Sequence, residues 1–391
     1  MTTYTVKHID TGQEYERPAV HINPHLKQLA SAKTGQQPTD PATEAFHRQL
    51  PSYGETKLHS LPSIARELGL AHVFVKDEST RFGLPSFKIL GASWAIHQAV
   101  CQCLGLPGST SLSELRDALK ASGSSASNVR LVTCTEGNWG RATARMAHYL
   151  GIPSTIYVPG FMRDATQNLL RGEGADVKVL IDGSYDDTIA AARRDADETG
   201  ALLVMDTSWP GYEEIPRWVT DGYGTMLRET DRQVAEVTDG KMANVCICSV
   251  GVGSWAHSVI SHYRGMGSTR IVTVEPTSAA SFKESLHCDA ITPIETGHTI
   301  MDGMNCGTTS TIAWPQLRDG TFAAVTVSDM ESHACVQGLQ EKGVNAGPCG
   351  AATLAALKKL CKERVLPEGE MEGMVVVLFS TEGRRDYEPP R

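Results

Sequence analysis

The stretch Asn244-Val245-Cys246-Ile247-Cys248-Ser249-Val250-Gly251-Val252-Gly253-Ser254-Trp255-Ala256 decides how the chain is read. An apolar run of strand character passes through G-x-G-x-x-A into a segment whose helical spacing continues to Tyr263. Bare backbone N–H groups at such a helix start cradle phosphate. The next predicted strand, Arg270–Glu275, ends in an acid, close to the spacing of a dinucleotide fingerprint. On these residues alone an NAD-dependent dehydrogenase and an enzyme with another phosphate-bearing cofactor are both open, and the motif lies deep in the chain rather than at the start of a domain.

Strand and helix alternate on both sides of this unit. Upstream, strands are predicted at His72–Lys76, Val129–Cys134, Ser154–Val158, Asp176–Ile181 and Ala201–Asp206, with helices at Phe87–Val100, Trp139–Leu150, Asp164–Gly172 and Tyr185–Thr199. Gly151 and Gly200 stand where C-terminal caps belong. Downstream, strands at Phe322–Val327 and Met374–Phe379 alternate with helices near Ser332–Lys342 and Ala351–Cys361. The first fifty residues show no sustained period and read as an extended lead-in, and Leu104–Asn128 reads as a Gly/Ser-rich excursion around one short helix. The expectation is an α/β fold of two open, largely parallel sheets with helices on both faces. Residues 1–93 with 213–391 form the larger domain, into which 94–212 is inserted as the smaller.

Composition narrows the class. Of 391 residues, 41% are hydrophobic and 21% charged, the profile of a globular chain with a sizeable core. A net charge of −9 gives no field for nucleic acid or an anionic membrane, so neither is expected as a partner. No secretory signal is visible in Met1–Asp10, and runs such as Val375–Phe379 are too short to cross a bilayer, which points to the cytoplasm. The ten cysteines include Cys101-x-Cys103 and Cys246-x-Cys248 but no C-x-x-C pair, so they read as reduced, apolar residues. His257, His262, His287 and His298 lack metal spacing, and no metal is expected.

A second feature stands upstream: Lys76-Asp77-Glu78-Ser79, then Arg81-Phe82-Gly83-Leu84-Pro85-Ser86-Phe87-Lys88. Lys88 falls in the first turn of the predicted helix, among Pro85, Phe87 and Ile89. Apolar neighbours and the positive helix end both work against its ammonium form, which suits a lysine that forms a Schiff base. From position alone, a solvated lysine at a helix start is the plainer reading.

This stretch, with Gly91-Ala92-Ser93, resembles the 2,3-diaminopropionate ammonia-lyases of the tryptophan-synthase-β-like, fold type II group of pyridoxal-phosphate enzymes. Three later segments carry the same likeness: Thr135-Glu136-Gly137-Asn138-Trp139-Gly140-Arg141, then Asp206-Thr207-Ser208-Trp209-Pro210-Gly211-Tyr212-Glu213-Glu214-Ile215-Pro216, then Ser380-Thr381-Glu382-Gly383. The resemblance implies pyridoxal 5'-phosphate bound through Lys88, with Asn138 at the pyridine 3-hydroxyl and Gly251, Val252, Gly253 and Ser254 at the phosphate. It puts Ser380, or Thr381, at the pyridine nitrogen, where a neutral hydroxyl suits elimination. The larger domain would then bind the cofactor and the smaller stand on the substrate side, in a homodimer. Lys88, Glu136 and Asp206 are the implied catalytic groups, and the N-terminus of the helix after Asn138 suits the substrate carboxylate.

The chain departs from the family at Glu136, where the family has Asp, and at Trp139, where it has His. It departs again near Pro348 and Cys349, where the family has an acidic residue and Ser. The implied reaction is α,β-elimination on a small β-substituted amino acid resembling 2,3-diaminopropionate, through aminoacrylate to pyruvate and ammonia. A β-replacement synthase or a serine/threonine dehydratase-like enzyme would share the aminoacrylate, and a silent amino-acid-binding relative would share the fold.

Overall fold

The computed structural model describes residues 2–27, 40–121, 129–135, 137–264 and 269–390. The chain divides into two compact units: Met1–Thr39, Glu55–Thr80 and Met226–Arg391 make the first, Asp40–Gly54 and Arg81–Thr225 the second. Where the sequence reading set the smaller segment at 94–212, the second compact unit also takes in Asp40–Gly54 and starts at Arg81.

The first unit is built on a seven-stranded sheet in the order β3-β12-β11-β10-β13-β5-β4. Its parallel strands are β5 (His72–Asp77), β10 (Val245–Ser249), β11 (Arg270–Pro276), β12 (Thr321–Val327) and β13 (Val375–Ser380). Short antiparallel strands close the two edges, β3 (Val20–Ile22) on β12 and β4 (Lys57–Ser60) on β5. Strands β10 and β13 are buried at every position, as a sheet covered by helices requires. Val245, Ile247, Val376 and Leu378 form a core with Leu354 and Leu357 of the helix Pro348–Lys362.

The lead-in is not featureless. Strands β1 (Thr3–Lys7) and β2 (Glu14–Pro18) form an antiparallel hairpin, too short for its period to register in the sequence. It is pinned by Arg17, whose Nε and Nη2 donate to Glu284 at 2.8 and 2.7 Å.

The second unit holds a four-stranded parallel sheet, β8-β7-β6-β9, made of β6 (Leu131–Cys134), β7 (Ser154–Pro159), β8 (Asp176–Leu180) and β9 (Leu202–Leu203). In chain order its helices include α1 (Pro41–His47), α3 (Lys88–Cys103), α4 (Leu112–Ala121), α5 (Asn138–Leu150), α6 (Asp164–Gly172), α7 (Tyr185–Thr199) and α8 (Glu214–Gly222). In the first unit α2 is Pro62–Leu68. Helix α8 is absent from the sequence reading, although its hydrophobic positions Val219 and Trp218 follow directly on the Ile215-Pro216 motif.

The contact between α3 and α8 fixes the helix that starts at Lys88. A Cβ on Gly222 would lie 2.5 Å from the Leu90 carbonyl oxygen, and one on Gly91 would lie 2.8 Å from the Tyr223 ring. Both glycines therefore permit a backbone approach that no larger residue allows. Gly222→Ala should destabilise the protein by about 1–3 kcal/mol through overpacking. Gly338→Ala, in the helix Asp329–Gln340 with open space around it, should instead stabilise by about 0.5–1 kcal/mol. Thermal unfolding of the two variants checks the opposite signs.

Candidate active site

Lys88 is the first residue of α3 and is half-buried. Its Nζ donates to Asp206 Oδ2 at 2.5 Å. The ammonium also stands 5.5 Å from the centroid of the Phe87 ring and 5.8 Å from that of Trp139. Lys88 thus has a specific anionic partner, which the sequence reading of apolar surroundings did not supply.

Asp206 lies beyond the end of β9 and is buried. The loop carrying it is fixed by Tyr212, whose hydroxyl donates to the Leu203 carbonyl at 2.7 Å and accepts from the Met205 N–H at 2.9 Å. The rings of Trp209 and Tyr212 stack at 4.5 Å, closing the turn. Burial pushes the Tyr212 hydroxyl far up, so it remains a neutral donor.

Asn138 opens α5. Thr135 Oγ1 accepts from the Gly137 N–H at 2.9 Å and from the Gly140 N–H at 3.0 Å. Part of the helix end expected to meet a substrate carboxylate is therefore occupied by a capping hydroxyl. Trp139 Nε1 donates to Thr133 Oγ1 at 3.0 Å and to the Val204 carbonyl at 3.1 Å, which locks the indole in the core. Glu136, the other implied acid, lies outside the described residues.

In the first unit, Gly251, Val252 and Gly253 follow β10 and lead into the helix Ser254–Arg264. Gly253 has φ +101°, a conformation open to glycine. A Cβ on Gly251 would lie 2.9 Å from the Gly303 carbonyl oxygen and 3.2 Å from Cys306 Sγ. The segment after Gly303 wraps this turn, with the Ser310 N–H donating to the Val252 carbonyl at 2.8 Å. Thr309 Oγ1 in that segment is buried without a hydrogen-bond partner among the described residues, and its methyl would be 3.7 Å from a Cβ on Gly253. A buried hydroxyl of this kind calls for an acceptor or donor that the described residues do not provide. Sequence reasoning missed Thr309, although the run Thr308-Thr309-Ser310-Thr311 carries the signal, four hydroxyl residues in a row.

Ser380 ends β13, the neighbour of β10, so it shares the C-terminal sheet edge with the glycine turn. Both Ser380 and Thr381 are buried. A Cβ on Gly350 would lie 2.3 Å from Ser380 Oγ, which shows how closely the helix Pro348–Lys362 covers that hydroxyl.

Glu275 is the penultimate residue of β11, where a dinucleotide fingerprint would place its ribose-binding acid. Its two carboxylate oxygens instead accept from the Phe282 and Lys283 N–H groups, at 2.8 and 2.9 Å, and cap the helix Ser281–Cys288. Complete burial raises its pKa to about 8, against the lowering effect of those two N–H groups. The acid is committed to a helix end and does not face a ribose, which removes the main support for the dehydrogenase reading. Among the described residues, His8, Glu284 and Cys288 bring three metal-ligating atoms together, but Arg17 already holds the Glu284 carboxylate.

In the first unit, a glycine turn at a helix start with a buried hydroxyl beside it suits a phosphate group; in the second, taken by itself, a lysine paired with a carboxylate suits Schiff-base chemistry. The comparisons with known proteins agree. Residues 50–381 match the model of the pyridoxal-phosphate dependent enzyme family. A diaminopropionate ammonia-lyase of Salmonella typhimurium is 35% identical over 297 residues, covering 73% of this chain and 71% of the relative. One from Escherichia coli is 30% identical over 356 residues, covering 87% of each. The Escherichia coli enzyme solved in complex with D-serine superposes with a TM-score of 0.82 at 26% identity, covering 98% of this chain and 95% of that one. The same enzyme solved with an aminoacrylate-PLP azomethine reaction intermediate gives 0.81 over the same shares. The chain belongs to the pyridoxal-phosphate dependent enzyme family, with the fold type II architecture, and to its diaminopropionate ammonia-lyase group.

Proposed function

We propose that the protein removes the β-amino group of 2,3-diaminopropionate, or of a close β-substituted alanine, and that Lys88 and Asp206 act together in the step. The observation that carries this reading is the 2.5 Å contact between Lys88 Nζ and Asp206 Oδ2. When bound, pyridoxal phosphate supplies an electron sink for negative charge at the substrate α-carbon.

The roles of the chain's own groups follow from that chemistry. Lys88 would hold the cofactor between turnovers and have its Nζ free while substrate is bound. Its free Nζ then takes the α-proton and becomes an ammonium, and the Asp206 carboxylate stabilises that charge at hydrogen-bond distance. The same ammonium can return its proton to the departing β-nitrogen, so that the group leaves as ammonia. The N–H groups of Gly251 to Ser254 hold the phosphate, joined by Thr309 Oγ1. Asn138 meets the ring hydroxyl, and Ser380 or Thr381 meets the ring nitrogen as a neutral partner. Released aminoacrylate takes up water and gives pyruvate and a second ammonia. The assembly we propose is a cytoplasmic homodimer. No helix among the described residues is long and apolar enough to cross a membrane.

Product stoichiometry tests the reaction. With 2,3-diaminopropionate, pyruvate and ammonia should appear in a ratio of one to two. A stable amino-acid product in the presence of a thiol or amine, with no pyruvate, would make the enzyme a β-replacement synthase instead.

Asp206→Asn keeps the shape and removes the charge. It should lower kcat about 100-fold while leaving cofactor content unchanged. Full activity in this variant would reduce Asp206 to a structural partner of the resting lysine. At the phosphate turn, Gly253→Asp brings charge repulsion and a strained φ, and it should abolish cofactor retention on gel filtration.

A further inference from the structure

One arginine of the second unit ties three segments together, and none of the roles above employs it. Arg145 of α5 donates from Nε and Nη2 to the two carboxylate oxygens of Glu173, at 2.5 and 3.0 Å. Its Nη1 donates to the Phe82 carbonyl oxygen at 3.1 Å. Arg141, one turn earlier on the same helix, adds a bond to Glu173 at 3.0 Å. Burial pushes the Glu173 carboxyl up, but the bonds from Arg145 and Arg141 outweigh that effect and hold it below its ordinary range.

The Phe82 end of this clamp is unusual. Phe82 has φ 51° and ψ 32°, left-handed values that a residue with a large side chain rarely adopts. Gly83 follows with φ +72°, so the chain reverses through two left-handed residues. The Phe82 ring is buried, 5.9 Å from Tyr53 and 6.1 Å from His47 between centroids. Such a backbone persists only where surrounding contacts over-determine it. The ring anchors one side of the turn and the Arg145 guanidinium holds its carbonyl on the other. The chain then runs from this turn through Leu84-Pro85-Ser86-Phe87 to Lys88, the first residue of α3. Helix α5, which bears the arginine, begins at Asn138.

We propose that Arg145 is a positioning residue for the reaction. Through the Phe82 carbonyl it holds the left-handed turn that aims Lys88 at Asp206 and at the cofactor. Glu173 orients the guanidinium but does not touch the turn. The inference rests on the reading of Lys88 as the cofactor lysine. Amide exchange reports on the turn whether or not Lys88 carries the cofactor, so a failure of the clamp and a failure of that reading look different.

The test compares Arg145→Met with Glu173→Gln in the holoenzyme. Both variants lose the ion pair, but only the first loses the bond to Phe82. In Arg145→Met, hydrogen exchange of the amides from Phe82 to Lys88 should speed up about tenfold, with the second unit otherwise protected. Its kcat on 2,3-diaminopropionate should fall at least about tenfold, because a small misplacement of the reacting nitrogen is costly. KM should move less than about threefold, since substrate binding is not the step affected. Glu173→Gln should change kcat less than about threefold and leave exchange in the turn unaltered. Should Arg145→Met fail to fold, Arg145→Gln, neutral and too short to reach the Phe82 carbonyl, takes its place with the same expectation. Equal losses in the arginine and glutamate variants would overturn the proposal, because the ion pair would then matter only for stability. Unchanged exchange in the turn, with kcat reduced or not, would overturn it as well.

Discussion

A lysine that serves first as a tether and then as a base has to be charged and uncharged in turn, at one place, without moving far. In the role proposed for Lys88, its 2.5 Å contact with Asp206 Oδ2 would make this possible, and elements of the second unit fix both partners. On the lysine side, α3 begins at Lys88 and is seated against α8 through the close approach at Gly91 and Gly222. On the acid side, the Tyr212 hydroxyl ties together the backbone on either side of Val204, so the loop cannot swing Asp206 away. A carboxylate left on an open loop would be a surface ion pair of little consequence. Here both partners are largely withdrawn from water and their backbones are fixed, the setting in which a charge-assisted hydrogen bond is strong.

In the proposed reading the first unit would solve a different problem, that of holding a small dianion and a flat ring with neutral groups. Parallel strands bring their C-terminal ends to one edge, and that edge carries the glycine turn after β10 and the hydroxyl of Ser380 after β13. Strands β10 and β13 themselves are buried at every position and carry no charged side chain. The glycines at 251 and 253 give space and a positive φ, respectively, and in the proposed reading the backbone N–H groups of this turn would do the binding. Glu275 shows the same economy: an acid at a strand end that looks like a ligand-binding group is a buried helix cap.

What was legible in the sequence is what local pattern encodes. Strand and helix periods located the parallel strands of both sheets to within a residue or two, except β9, which is shorter than its apolar run. Lys88 at a helix start and the glycine turn after β10 were likewise readable, because each depends on a few adjacent residues. The resemblance to a known family added the assignment of an aldehyde cofactor, which neither motif specifies. Illegible were the relations between distant positions. Nothing near residue 88 announces its partner at 206, and nothing near Phe82 announces Arg145. The hairpin at the N-terminus was missed because its five-residue strands are held by Arg17 and Glu284, 267 positions apart. Helix α8 was not legible because it is only nine residues long, has no side-chain N-cap and carries Pro216 in its first turn.

The central claim is that Lys88 bears the cofactor, and it is tested most directly by trapping the linkage. The purified protein should show a visible absorbance that borohydride abolishes, and peptide mapping should then find the reduced cofactor on the peptide containing Lys88. A label on any other lysine, or a colourless protein that takes up no pyridoxal phosphate, would contradict the account.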